Sequence, residues 1–232
     1  MPGNDQEEKV DRRTRSIQAW DLPTRIFHWA LVLLVITSFV TAEMGGNAMR
    51  YHVWSGTAIL ALLLFRLAWG LVGSRTARFS EFVRGPSAAW RYARGLMGST
   101  PEHYLGHNPL GGWSIVAMLL ALMLQVVTGL FANDEIATQG PLYPWVSDAT
   151  SGWLTGIHLI NKGVIIALVS LHLLAVLFYL LVKGDNLITP MISGRKPWQD
   201  PSAPMPKIET PPAWVALLAA ALSAMAAYLL VR

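Results

Sequence analysis

Four histidines stand inside otherwise apolar stretches of this sequence: His28, His52, His158 and His172. The last two share the segment GIHLINKGVIIALVSLHL and lie fourteen residues apart. On an α-helix that spacing covers about 21 Å of axis, and the two rings differ in direction by only about 40°. Both rings therefore face one side of the helix at two different depths. Arg66 follows His52 by the same fourteen residues. Ionisable groups buried in an apolar helix are costly, and those found there usually bind or react with something.

The elements that must position these rings follow from composition. Of 232 residues, 53% are hydrophobic and 14% charged, and the mean hydropathy is +0.40. Such a chain is too apolar for an ordinary soluble domain and reads as an integral membrane protein. Crossing a hydrocarbon core of about 30 Å takes roughly 20 helical residues. Five runs meet that length: Ile26–Ala42, His52–Val72, Trp113–Ala132, Trp153–Val182 and Trp214–Val231. The expected fold is all-α, a four-helix transmembrane bundle with an additional C-terminal transmembrane helix. The fourth run exceeds one span and is expected to tilt or project. The linkers EMGGNAMR and STPEHYLGHNPLGG are turn-rich, and GRKPWQDPSAPMPKIETPPAW is proline-rich and expected to be extended. The chain thus divides into an N-terminal segment (1–18), a core (19–196), a proline-rich linker (197–212) and the additional helix (213–232).

Basic residues orient the bundle. The net charge is +4, but the positive residues form no patch interleaved with aromatics, so nucleic acid is not an expected partner. Lys9, Arg12, Arg13, Arg15 and Arg25 precede the first run. Arg75, Arg78, Arg84, Arg91 and Arg94 separate the second and third, and Lys183, Arg195, Lys196 and Lys207 follow the fourth. The opposite loops hold Arg50 and, between Asn133 and Gly152, acidic residues only. The positive-inside rule puts the N-terminus in the cytoplasm. The polar start MPGNDQEEKVDRRTRS does not read as a signal peptide. Trp29, Trp54, Trp113, Trp145, Trp153 and Trp214 lie near run ends, as an interfacial belt requires.

With this orientation the histidines fall at two levels. His28 and His172 share the inner level, and His52 and His158 the outer one. A planar macrocycle ligated through its iron on both faces needs one imidazole from each of two facing helices. The sequence contains no cysteine. That excludes disulfides, zinc-thiolate sites, iron–sulfur clusters and covalent haem attachment. Two non-covalent haems of b type, with His28/His172 as the inner and His52/His158 as the outer axial iron ligands, fit best. Zinc would need its ligands to converge on one point. Both axial positions being filled favours electron transfer over oxygen chemistry.

The motifs WDLPTRIFHW, FRLAWGLVGSRTARF, GHNPLGGW and NLITPMISGRK, with the histidine pair of the fourth run, resemble the bacterial cytochrome b561 family. That family includes the di-haem cytochrome b subunits of nickel–iron hydrogenases. The resemblance covers Ala19 to Lys196 and implies a four-helix di-haem core with ligands on helices one, two and four. It implies a multi-pass protein of the bacterial inner membrane exchanging electrons between membrane quinone and a redox protein such as a hydrogenase, a dehydrogenase or a soluble cytochrome. A homodimer is compatible with it. The fifth run and the short first outer loop depart from the family's pattern.

Further residues have candidate roles in cofactor binding. Arg66 pairs with a haem propionate or snorkels to the interface. Arg25 and Arg50 clamp propionates at the two surfaces or are solvated. Lys162, one turn after His158, pairs with a propionate or an outer carboxylate. Gly56 and Gly163 leave room for a flat ring or serve close helix packing. His103 and His107 are expected to be structural or surface groups, near a quinone or proton path. Two alternatives stand beside electron transfer with a partner: a standalone superoxide- or quinone-linked oxidoreductase, and a non-redox transporter or assembly subunit with structural histidines.

Overall fold

The computed structural model describes residues 16–96, 104–198 and 208–232. Lys9, Arg12, Arg13, Arg15, His103 and Lys207 lie outside the described residues. Five helices are long and apolar enough to cross a membrane. They are α1 (Leu22–Met44), α2 (Met49–Val72), α5 (Pro109–Leu130), α6 (Asp148–Leu181) and α8 (Ala213–Val231). Short helices α3 (Phe79–Phe82), α4 (Pro86–Gly95) and α7 (Ile188–Ser193) lie between spans. The chain is a multi-pass, all-α membrane protein. The inner end is the one that the distribution of basic residues assigns to the cytoplasm, and the outer end is the opposite one.

Local sequence sets the helix starts. Asp21 caps α1 by accepting from the Thr24 amide at 2.6 Å, and Pro23 occupies its first turn. Asn108 caps α5 through the Gly111 amide at 2.8 Å, with Pro109 as the first helical residue. Ser147 caps α6, and Asp148 adds a favourable charge to its first turn. Each spanning helix begins one to five residues before its apolar run, because helix caps and first turns favour polar residues and proline.

α2 is the most buried span and α6 the least. α2 packs against α1, α5 and α8, whereas α6 packs closely on α5 alone among the spans. The core gathers around α2: Ile59, Leu60 and Leu63 meet Val126 and Leu130 of α5 and Ala227 of α8. Toward the inner end Phe65 and Trp69 join Phe27 and Ala216. The additional C-terminal helix is therefore packed on the central helix of the bundle. α1 and α6 are not among the closely packed pairs. α6 meets α1 and α2 through side chains, Lys162 with Glu43 and His158 with His52.

Two ties join the α1 and α6 sides of the bundle. At the inner end strands β1 (Ser16–Gln18) and β2 (Arg195–Pro197) pair antiparallel, with Ile17 opposite Lys196. Beside them the Ala19 amide donates to Gly194 O at 2.8 Å, Arg25 Nη1 to Ile192 O at 2.5 Å and Trp29 Nε1 to Met191 O at 3.2 Å. Those carbonyls end α7, which the left-handed Gly194 (φ 82°) terminates. A Cβ on Gly194 would lie 2.9 Å from Trp20 O. At the outer end Lys162 Nζ of α6 meets Glu43 Oε1 of α1 at 2.5 Å.

Candidate haem sites

The outer level is built from α2 and α6. The His52 and His158 rings lie with centroids 6.1 Å apart and planes at 81°. Each ring is held through Nδ1 by a backbone carbonyl of the neighbouring helix. His52 Nδ1 lies 2.9 Å from Ser38 O of α1, and His158 Nδ1 lies 2.9 Å from Gln125 O of α5. A carbonyl oxygen only accepts, so each Nδ1 carries the proton and each Nε2 is the bare nitrogen, the form that ligates metal. Two nitrogens at about 2 Å from a shared metal put imidazole centroids roughly 6 Å apart, which is the separation found.

The supporting residues are equally local. Ser38 Oγ and Ser55 Oγ bond at 2.6 Å, tying α1 to α2 beside His52. Asn161, one turn beyond His158, donates through Nδ2 to Gln125 Oε1 at 2.7 Å and to Ala121 O at 2.9 Å. Gly129 of α5 lies against the ring: an added Cβ would sit 2.9 Å from His158 Cε1. The space beside Gly56, one turn after His52, is open to 4 Å. The same holds for Gly163, which is exposed, so neither glycine serves close helix packing here.

The inner level is more polar and less satisfied. His28 and His172 lie within electrostatic reach of each other. His28 Nδ1 is buried without a hydrogen-bond partner, as are Arg66 Nη1, Arg25 Nε and His107 Nδ1. Trp29 packs edge-on to the His28 ring at 4.9 Å. The Arg66 guanidinium rests 4.8 Å from the Phe79 ring centroid and 5.7 Å from that of Phe82. His107 is wedged between Trp20 and Phe82 at 4.6 and 4.8 Å. Burial pushes the His107 imidazole down to about 3, and the charges of Arg66, His172 and His28 act in the same direction. These four groups thus form one cluster. The nearby carboxylate of Asp21 accepts from Thr24 N, Trp69 Nε1 and Ser74 Oγ.

The candidate clamps divide. Arg66 is buried in the inner cluster, as its spacing from His52 predicts. Lys162 is paired with a carboxylate, that of Glu43. Arg25 donates to the carbonyl that ends α7 while its Nε stays unpartnered. Arg50 is exposed and folds over its neighbour Tyr51, with Nη2 donating to the hydroxyl at 2.6 Å. His107 is an inward, half-buried group rather than a surface one. Sequence reasoning did not single out Ser38, Gln125 or Gly129. Backbone acceptors leave no sequence signal, but Gly129 and Thr128 in an apolar run were legible as a place where two helices touch.

The outer pair fits an axially ligated haem by ring separation and tautomer. At the inner level the unpartnered Arg25 and Arg66 nitrogens are donors that haem propionates would satisfy. Among the described residues no group of three or more His, Asp or Glu converges to hold a bare metal ion. A helical membrane bundle with facing imidazoles on separate helices belongs to the class of membrane b-type cytochromes that transfer electrons. The chain belongs to the prokaryotic cytochrome b561 family, whose model matches residues 19–194. It is similar to the "Probable Ni/Fe-hydrogenase B-type cytochrome subunit" of Rhodobacter capsulatus, 24% identical over 83% of this chain and 86% of that one. The protein of the same name from Azotobacter vinelandii is 26% identical over 84% and 94%. The "Probable Ni/Fe-hydrogenase 1 B-type cytochrome subunit" of Escherichia coli K12 is 23% identical over 75% and 88%. No solved structure matches the chain significantly.

Proposed function

We propose that this chain is a di-haem cytochrome b of the bacterial inner membrane, N-terminus in the cytoplasm, carrying electrons between membrane quinone and a protein redox partner. The observation that carries the reading is the His52–His158 pair, with both Nδ1 protons committed to backbone carbonyls and both Nε2 atoms left as ligands. Haem, held by these imidazoles, would supply a one-electron iron couple. The chain's part is to orient four imidazoles, keep water from them with apolar helices, and stack two levels about 21 Å apart along α6. The relatives' names support a nickel–iron hydrogenase as the partner.

For the quinone the inner rim is favoured. A quinol headgroup inside an apolar bundle needs polar partners for its hydroxyls. Arg66 and His107 offer unpartnered donors there, whereas Lys162 at the outer rim is already paired with Glu43. Arg66 is also the cation best placed for an inner propionate.

A pyridine haemochrome assay tests the first part: two haems per chain are expected, and one haem in fully loaded protein refutes the pairing. Quinol-driven haem reduction in reconstituted membranes tests the second. A slowed rate in His107→Ala supports the inner rim. Slowing only in Lys162→Ala, with both haems loaded, moves the site to the outer face. Haem reduction by hydrogen in membranes that also contain a nickel–iron hydrogenase tests the partner.

A further inference from the structure

The two histidine pairs are not chemically alike. At the outer level both rings give their Nδ1 proton to a carbonyl at 2.9 Å. Thr128 Oγ1 lies a further 3.3 Å from His158 Nδ1. At the inner level His28 Nδ1 is buried with no acceptor, and His172 makes no hydrogen bond among the described residues. A hydrogen bond from the distal N–H raises the basicity of a ligating imidazole. A more basic ligand stabilises the ferric state over the ferrous one, lowering the potential. The inner level lacks that influence.

Charge separates the levels in the same direction. The inner cluster contains the buried Arg66 guanidinium, whose Nη1 has no acceptor. Its counter-charge, Asp21, is shared among three donors, none of them Arg66. A buried cation disfavours the more positive ferric state, and a low-dielectric interior magnifies the effect. At the outer level Lys162 is paired with Glu43 on exposed side chains, and Arg50 is likewise exposed to the surface.

We infer that the outer pair, His52 and His158, holds the lower-potential haem and the inner pair, His28 and His172, the higher, because only the outer imidazoles are hydrogen-bonded at Nδ1 and only the inner level holds an unpaired buried arginine. This rests on the di-haem reading above. An electron arriving at the outer level is then drawn inward, and Arg66 becomes a tuning residue for the inner iron.

The experiment is an optical redox titration of the detergent-solubilised full chain, comparing wild type with His52→Ala, His28→Ala, Arg66→Gln and Arg66→Lys. Two one-electron steps are expected in wild type. His52→Ala should keep the upper step and His28→Ala the lower. Arg66→Gln should move the upper step down and leave the lower in place, and Arg66→Lys should largely restore it. The arginine pair decides the matter even if a histidine variant fails to fold. Retention of the lower step in His52→Ala, or an Arg66→Gln titration in which the upper step does not fall, would overturn the assignment. A wild-type chain holding a single haem would instead overturn the di-haem reading on which it stands.

Discussion

Gly129→Ala tests the outer site through a residue that touches a ligand without being one. A Cβ at position 129 would lie 2.9 Å from His158 Cε1 and 3.2 Å from Nδ1. Non-bonded carbons settle at about 3.5–4.0 Å, so the ring must withdraw by roughly 0.6–1 Å. That movement strains the 2.9 Å bond to Gln125 O that fixes the tautomer. A neutral hydrogen bond contributes about 0.5–1.5 kcal/mol. Outer partners of ligating histidines typically account for 10–100-fold in affinity. We therefore expect the outer haem to bind about tenfold more weakly, a loss of about 1.4 kcal/mol, with the inner haem unaffected. Helix propensity acts the opposite way, since alanine is up to about 1 kcal/mol better than glycine inside a helix. The apo bundle should accordingly be no less stable, which separates ligand loss from unfolding. The assay is haem stoichiometry and reduced-minus-oxidised spectra during haem titration of the apo-protein, with Gly152→Ala as control. Gly152 is exposed, and a Cβ there meets nothing within 4 Å. A Gly129→Ala protein that binds both haems with wild-type affinity and potentials would refute the placement of His158 against α5.

Replacing either member of one pair should remove that level only: His28→Ala or His172→Ala the inner haem, His52→Ala or His158→Ala the outer, distinguished by residual spectra. If His28→Ala and His52→Ala leave the same residual spectrum and potential, the two-level assignment is wrong. Lys162→Gln breaks the ion pair with Glu43 but should leave two haems per chain; loss of the outer haem would reinstate a propionate role for this lysine. Asp21→Ala removes the α1 cap and the acceptor for Trp69 and Ser74. It should cost about 2–4 kcal/mol from the lost cap and orphaned donors, seen as a lower thermal midpoint in detergent. Burial holds His107 neutral to about pH 3, whereas in the unfolded chain it protonates near 6.5. As pH falls from about 6.5 toward 3 the unfolded state takes up a proton that the native state does not, so stability is lost across that window. His107→Gln should flatten this acid limb in unfolding curves; an unchanged limb would place the imidazole in water.

The membrane class, the five spans and the candidate ligands were legible in the sequence because each depends on short-range pattern. A continuous apolar run of about 20 residues is a helix in lipid, because a helix satisfies every backbone group within the segment, whereas barrel strands are shorter and alternate in polarity. A fourteen-residue spacing fixes the relative direction and depth of two rings on one helix whatever surrounds them. The small features at the inner end were not legible in the same way. The strand pairing of Ile17 with Lys196 joins segments that lie far apart in the chain, and neither strand carries a pattern longer than three residues.

Tertiary structure alone decided what each polar group meets. Sequence could offer Lys162 a propionate or a carboxylate; the approach of α1 to α6 at the outer end supplied Glu43. It could offer Arg25 a propionate or water; the chain's return through α7 supplied a carbonyl. It named four imidazoles but not their tautomers, because Ser38 O and Gln125 O are backbone atoms common to every residue type, and only the packing of α1 on α2 and α5 on α6 aims them at Nδ1. Side-chain identity and helical period therefore determine which groups are present and at what depth. The partner of each group is a property of neighbouring helices, and no local pattern encodes it.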